Sequence, residues 1–335
     1  MANLLEVKNV DKHFDISGSL VDQLKLEGGK IRRKRTVVKA VNNVTLNIRQ
    51  GETLSVVGES GCGKSTLART VIGLYQPNKG EIYYGGDRID TVTGTARRPY
   101  RTRMQMVFQD PYASLNPRMT VKQILEEPVR FHNPALDRRE VRDIILTTMD
   151  QVGVNTDWID RFPHEFSGGQ RQRISLARAL VLDPEFVVAD EPIAALDVSI
   201  QAQILNLMMD AQEQRGLTYL FISHDLSVVE HISTRVAVMY LGCLCEVADA
   251  KELFCNPQHP YTRALLSAIP RLGGKAGGHI RLSGDVPTPI NLPSGCVFHG
   301  RCPHADDRCR REIPEDVTLE SGTRVACHGI EEGRI

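Results

Sequence analysis

The sequence predicts an α/β protein on a mainly parallel sheet, with a helical lobe in mid-chain and a small Cys-rich C-terminal extension. Three observations predict it. Short apolar runs bounded by turn signals alternate with stretches of helical period, the arrangement that parallel sheets need for their crossovers. A glycine-rich turn, Gly58–Ser65, joins one such strand to one such helix. After about residue 272 the character changes: GGKAGG reads as a linker, and the remainder is rich in Cys, Pro and Arg.

In chain order, strands are expected at LLEVKNV (4–10), VTLNI (44–48), TLSVVG (53–58), MQMVF (104–108), FVVAD (186–190), YLFIS (219–223) and VAVMYLG (236–242). Helices are expected at KSTLARTVIGL, VKQILEEPVRF, REVRDIILTTMDQVG, GQRQRISLARALVL and SIQAQILNLMMDAQEQRG. The segment from about 112 to 165 reads as mostly helical, a subdomain inserted in a first domain spanning 1–271; the extension is 272–335. The stretch 17–36 ends in the basic run KIRRKR, which reads as a solvated loop or, in a second reading, a lipid-headgroup contact.

Composition narrows the function classes. Basic and acidic residues balance at 41 each, which argues against a nucleic-acid binder. No apolar run reaches the ~18 residues of a membrane span, and the start, MANLLEVKNVDKHF, lacks the apolar core of a signal peptide. A cytoplasmic location is therefore expected, and with it thiols or metal ligands rather than disulfides for the eight cysteines.

Gly58-Glu59-Ser60-Gly61-Cys62-Gly63-Lys64-Ser65 is a complete G-x-x-x-x-G-K-S in the strand–turn–helix setting that the motif requires. Its backbone N–H groups, running on to Thr66, would close around phosphate oxygens at a helix N-terminus. Lys64 would reach the β- and γ-phosphates of ATP, and Ser65 would ligate Mg²⁺. The strand ending in Asp190 delivers a second magnesium ligand, and Glu191, one residue on, is the candidate general base. Ser167-Gly168-Gly169-Gln170 opens another helix and offers a second phosphate-binding surface. One γ-phosphate does not need two such surfaces from one chain, which suggests two ATPase domains pairing head to tail.

In these residues the sequence resembles the ABC ATPase superfamily: FSGGQ as its signature, DEPIAALD as Walker B and D-loop, Gln109 in VFQDP as the Q-loop and His224 in FISHD as the switch histidine. The resemblance implies that Gln109 senses Mg²⁺ and water, that His224 contacts the γ-phosphate, and that Phe14 stacks on adenine; the plain alternative for Phe14 is a core aromatic. Phe166 replaces the commoner Leu, and Ala194 stands where Ser or Thr is frequent. A single P-loop, with no coiled coil and no fused membrane helices, leaves an importer subunit as the best reading. His259-Pro260-Tyr261-Thr262-Arg263-Ala264-Leu265-Leu266 resembles the C-terminal motif of peptide-importer ATPases, closest to the dipeptide type, a family that also holds nickel and glutathione importers. It implies a heterodimer with a paralogous ATPase, two membrane permeases, a solute-binding protein, and a peripheral place at the cytoplasmic membrane face. The alternatives are a soluble ABC ATPase in DNA or ribosome handling, and a P-loop kinase, in which SGGQ would have no purpose.

Cys296, Cys302, Cys309 and Cys327 follow as C-x5-C-x6-C-x17-C. Four thiols in a Pro-rich, core-poor segment suggest a metal or cluster staple, and the spacing fits no standard zinc finger. The resemblance favours a [4Fe–4S] cluster; zinc, with His299, His304 or His328 replacing a thiol, and free cysteines are the alternatives. Cys243 and Cys245 read as small buried residues and Cys255 as isolated. Cys62 sits near a helix N-terminus that lowers thiol pKa values.

Overall fold

The structure is a computed structural model that describes residues 2–17, 24–27, 30–33, 35–194, 196–269 and 280–335, with 24–27 and 30–33 described by backbone alone. Ala195, Lys34 and the GGKAGG stretch lie outside the described residues. The strands are β1 (Asn3–Asp15), β2 (Leu24–Glu27), β3 (Lys30–Arg33), β4 (Val37–Arg49), β5 (Thr53–Val57), β6 (Lys79–Tyr84), β7 (Asp87–Arg88), β8 (Met104–Val107), β9 (Phe186–Asp190), β10 (Thr218–Ile222), β11 (Arg235–Tyr240), β12 (Cys243–Asp249), β13 (Asp316–Thr318) and β14 (Arg324–Ala326).

Eight of them form one sheet in the order β13-β14-β12-β11-β5-β10-β9-β8. From β11 to β8 all neighbours are parallel, and β12, β14 and β13 continue the edge antiparallel. Strands β5, β9 and β10 are buried at every residue, as a parallel sheet covered on both faces requires. A second, antiparallel sheet runs β4-β1-β6-β7. Along β4 the buried residues Val44, Leu46 and Ile48 alternate with more exposed ones, so only one face joins a core.

The alternation of side chains divides the interior in two. Leu54, Val56, Val188 and Leu220 face the antiparallel sheet and the helix Lys64–Val71, whose Leu67, Ala68 and Val71 fill the space between the two sheets. Val57, Val187, Tyr219 and Phe221 face the other way, toward the helices Val121–His132, Arg138–Gln151 and Gly168–Leu180. The helices of the 112–165 region start on capping boxes, Thr120 with Gln123 and Asp137 with Glu140.

One expectation changes. Within 17–36 the backbone pairs β2 with β3 antiparallel, Leu24 opposite Arg33 and Glu27 opposite Lys30, where a loop was expected. In the C-terminal segment, β13 and β14 lengthen the main sheet, and Cys296, Phe298 and Cys309 belong to the same apolar cluster as the helical lobe.

Candidate nucleotide site

Strand β5 runs into the turn 58–63 and then the helix Lys64–Val71. Two glycines are demanded by close approach: Gly58 has φ +152° and a Cβ there would strike the Met239 carbonyl, while Gly63, at φ +109°, would strike that of Ala40. Lys64 is 5% exposed, and its Nζ donates to the Gly58 carbonyl at 2.8 Å and the Glu59 carbonyl at 3.0 Å. Ser65 Oγ donates to Asp190 Oδ1 at 2.7 Å. Asp190 ends β9 fully buried, with its Oδ2 lacking any hydrogen-bond partner and the Arg69 guanidinium 3.6 Å away. Burial pushes its carboxyl pKa up, partly offset by the Ser65 hydrogen bond and the Arg69 charge. A buried carboxylate oxygen without a hydrogen bond, beside a serine hydroxyl, is a hard oxygen donor set, and it fits Mg²⁺.

Beside this floor lies a cleft of about 550 Å³ lined by Phe14, Val38, Ala40, Ser60, Gly61, Gly63, Lys64, Ser65, Thr66, Gln109, Glu191, His224 and Pro289. Glu191 takes φ +48°, a strained conformation for a non-glycine residue, and its N–H is locked to the Ile222 carbonyl at 3.0 Å. Gln109 Nε2 donates to Glu191 Oε2 at 2.9 Å, and His224 Nδ1 lies 3.4 Å from the same oxygen. Phe14 stands at the mouth with its ring edge-on to Tyr75, centroids 5.2 Å apart, and the Lys12 ammonium 4.9 Å from its centre. Cys62 is buried, and burial pushes its thiol pKa up against the pull of Lys64, so the lowering expected from the helix N-terminus does not occur.

The signature residues lie outside this cleft. Ser167 caps the helix Gly168–Leu180: its Oγ accepts from the Gln170 N–H at 3.3 Å, and Gln170 Oε1 accepts from the Ser167 N–H at 2.9 Å. Ser167 and Gly168 are exposed. Behind them Phe166 is buried against Trp158, ring centroids 5.8 Å apart, which gives the Phe at this position a packing reason. In the D-loop Ala194 is exposed, and Gln201 Nε2 donates to the Ile193 and Leu196 carbonyls, each at 3.1 Å.

Sequence reasoning missed several neighbours. Arg69 was findable, because it lies four residues after Ser65 on one helix and so shares its face. Pro289 carried no local signal; its carbonyl accepts from the Lys39 N–H at 2.9 Å, which brings the C-terminal segment to the cleft.

The cysteine expectation is corrected. Among the described residues no group of three or more His, Cys, Asp or Glu is placed to hold a metal ion, which overturns the [4Fe–4S] cluster on Cys296, Cys302, Cys309 and Cys327 and the zinc alternative. The physical reason is burial. Cys296 and Cys309 are core residues and Cys302 packs against that core. Burial pushes the Cys296 thiol up to about 12 and raises Cys302 and Cys309 as well, in keeping with thiols packed as small apolar side chains. Polar contacts fasten this segment instead: Arg308 pairs with Glu312 at 3.0 Å, Glu331 at 3.1 Å and Glu332 at 2.6 Å.

Comparison with known proteins agrees with this geometry. Residues 41–194 match the ABC transporter family, and residues 245–309 match the oligopeptide/dipeptide transporter C-terminal region. The chain is 50% identical over 329 residues to the oligopeptide transport ATP-binding protein AppF of Bacillus subtilis (strain 168), covering 97% of each. It is 47% identical over 330 residues to the dipeptide transport ATP-binding protein DppF of Escherichia coli (strain K12), covering 98% of this chain and 95% of that one. Among solved structures, the dimeric post-hydrolysis state of the ATP-binding cassette MJ0796 bound to ADP and Pi aligns with a TM-score of 0.62 and 27% identity, over 73% of this chain and 98% of that one. Neither relative's name carries a second ATPase, so the expected heterodimer with a paralogous cassette finds no support there. Matched along nearly its whole length, the chain belongs to the ABC transporter family, among the oligopeptide and dipeptide transport ATP-binding proteins.

Proposed function

We propose that the protein binds and hydrolyses ATP to power the import of dipeptides or other short peptides through separate membrane permeases supplied by a solute-binding protein. One observation carries the reading: Lys64, Ser65, Gln109, Glu191 and His224 line a single cleft, with Asp190 bonded to Ser65 at its floor, in a chain whose relatives are named as peptide transport ATP-binding proteins. Among the described residues no helix is long and apolar enough to cross a membrane, and the permeases are separate chains in this reading, with the protein peripheral at the cytoplasmic face. The ATPase unit is 1–271, with a helical subdomain at about 112–165, and 272–335 is the extension.

The triphosphate lies against the N–H groups of 60–66, and Lys64 exchanges its two carbonyl acceptors for phosphate oxygens. Ser65, Asp190 and Gln109 would hold Mg²⁺, which when bound neutralises charge on the β- and γ-phosphates. Phe14 offers its ring to adenine. Glu191 accepts a proton from the attacking water, with its carboxylate oriented by the hydrogen bond from Gln109. His224 contacts the γ-phosphate from the facing side of the cleft. The Ser167–Gln170 surface, exposed at Ser167 and Gly168, caps the nucleotide of a second cassette, and that cassette's surface caps this one. Closure of the pair passes to the permeases through the region of Gln109.

The test is Glu191→Gln. Purified protein is expected to bind ATP normally and hydrolyse it about 10²–10⁴ times more slowly; unchanged turnover removes Glu191 as the base. In cells, uptake of labelled dipeptides or short peptides is expected to fall. Loss of glutathione or nickel uptake instead would correct the cargo, and intact uptake of all of these would remove the import role.

A further inference from the structure

Glu59, the second residue of the phosphate loop, is held on three sides. Its N–H donates to the Tyr261 hydroxyl at 2.9 Å, across a sequence separation of 202 residues. Its carboxylate receives Arg301 Nη1 on both oxygens, at 3.1 and 2.9 Å, across 242 residues. Its carbonyl accepts from Lys64 Nζ at 3.0 Å. Arg301 is itself seated: its side chain is 10% exposed, its Nη1 also donates to the Tyr240 hydroxyl at 3.4 Å, and Phe298 packs at 5.3 Å from Tyr240 and 5.4 Å from Tyr261.

A carboxylate is an unhelpful charge in a loop that receives a polyanion, because it repels phosphate unless something cancels it. Arg301 cancels it through its two hydrogen bonds to the carboxylate, and neither residue is among those lining the cleft. The Tyr261 hydroxyl accepts one loop N–H and thereby fixes the first peptide unit of the loop. Both groups come from the C-terminal part of the chain, Tyr261 from the HPYTRALL motif and Arg301 from the cysteine-rich extension.

We infer that Arg301 and Tyr261 are positioning residues for ATP, through which the C-terminal segment holds the phosphate loop neutral and open. This rests on the reading of Gly58–Ser65 as the ATP site. Arg301→Gln leaves the Glu59 carboxylate uncompensated in the loop that receives the triphosphate. In the full-length protein, the Kd for MgATP by calorimetric titration is expected to rise about tenfold or more. In the assembled transporter the KM for ATP rises with it, while kcat stays within about threefold. The double variant Glu59→Gln/Arg301→Gln removes both charges and is expected to recover most of the affinity, which a merely unfolded tail would not allow. Tyr261→Phe deletes a single oxygen and provides a second reading should Arg301→Gln fail to fold; its MgATP affinity is also expected to fall. Wild-type affinity in Arg301→Gln, or in Tyr261→Phe, or a double variant as weak as the single one, overturns the inference while MgATP binding to the wild type still stands. Absence of MgATP binding to the wild type itself would instead overturn the ATP-site reading, and the inference with it.

Discussion

Lys64 keeps its charge under cover until a better acceptor arrives. Its ammonium is almost fully buried and bonded to two carbonyls of its own loop, whose dipoles stand in for water. Phosphate oxygens are stronger, charged acceptors, and each charge-assisted bond contributes about 1.5–3 kcal/mol. Lys64→Ala is therefore expected to weaken ATP binding by about 100-fold or more, measured by titration of the purified protein; retained affinity would show that backbone N–H groups suffice. At this scale the placement of the residues was highly legible, because Gly58–Ser65, Asp190 and Glu191 stand where local spacing after apolar strands puts them. The partners of Glu59 were not legible. No pattern in one sequence pairs position 59 with 261 or 301, and register across the chain is decided by packing that no local window contains. The cysteines mislead for a related reason: spacing suggests ligands, but the burial that makes Cys296 and Cys309 core thiols is a tertiary property.

The helix Pro260–Ser267 depends on a histidine for its start. His259 Nδ1 accepts from the Tyr261 N–H at 3.0 Å, and the His259 N–H donates to Glu246 Oε2 at 2.8 Å. Full burial pushes the His259 pKa down to about 3, since a charged imidazole cannot be solvated there. Unfolded, the same ring takes its proton near pH ~6.5. Between these values the unfolded chain holds the extra proton, so stability is complete above pH ~6.5 and declines as pH falls toward 3, by about 1.4 kcal/mol per unit. His259→Asn keeps an acceptor suited to a helix N-cap and does not titrate. Denaturant unfolding from pH 4 to 7 is expected to show a shallower acid slope in this variant by one proton, and an unchanged slope would place the titration elsewhere. Other elements varied in legibility for physical reasons. Strands β5, β9 and β10 are continuous apolar runs because both faces are covered. By contrast β6, KGEIYY, and β13, DVT, are polar, short and near edges, and they pass for loop.

Across the whole molecule, the C-terminal segment and the helical lobe stand on one apolar cluster. Phe298 is buried in it, between Tyr240, Tyr261 and His259, while Trp158 packs against the same cluster from the lobe. The edge strands β14 and β13 tie the segment further through Glu246 opposite Val325. A segment fastened by its own metal staple would melt on its own; one that shares a core should unfold with the rest. Phe298→Ala separates the two cases. Truncating a buried Phe costs about 3–5 kcal/mol, and in a chain of 335 residues that is a fall in Tm of roughly 4–7 °C. Trp158 is the sole tryptophan, so its fluorescence reports on the lobe while far-UV circular dichroism reports on the whole backbone. The expected result is that both transitions fall together and by the same amount, because the cavity weakens the interior common to both regions. A Trp158 transition left at the wild-type temperature, beside a small early change in dichroism, would mean that the extension melts as an independent unit and that its hold on Glu59 is lost before the cassette itself unfolds.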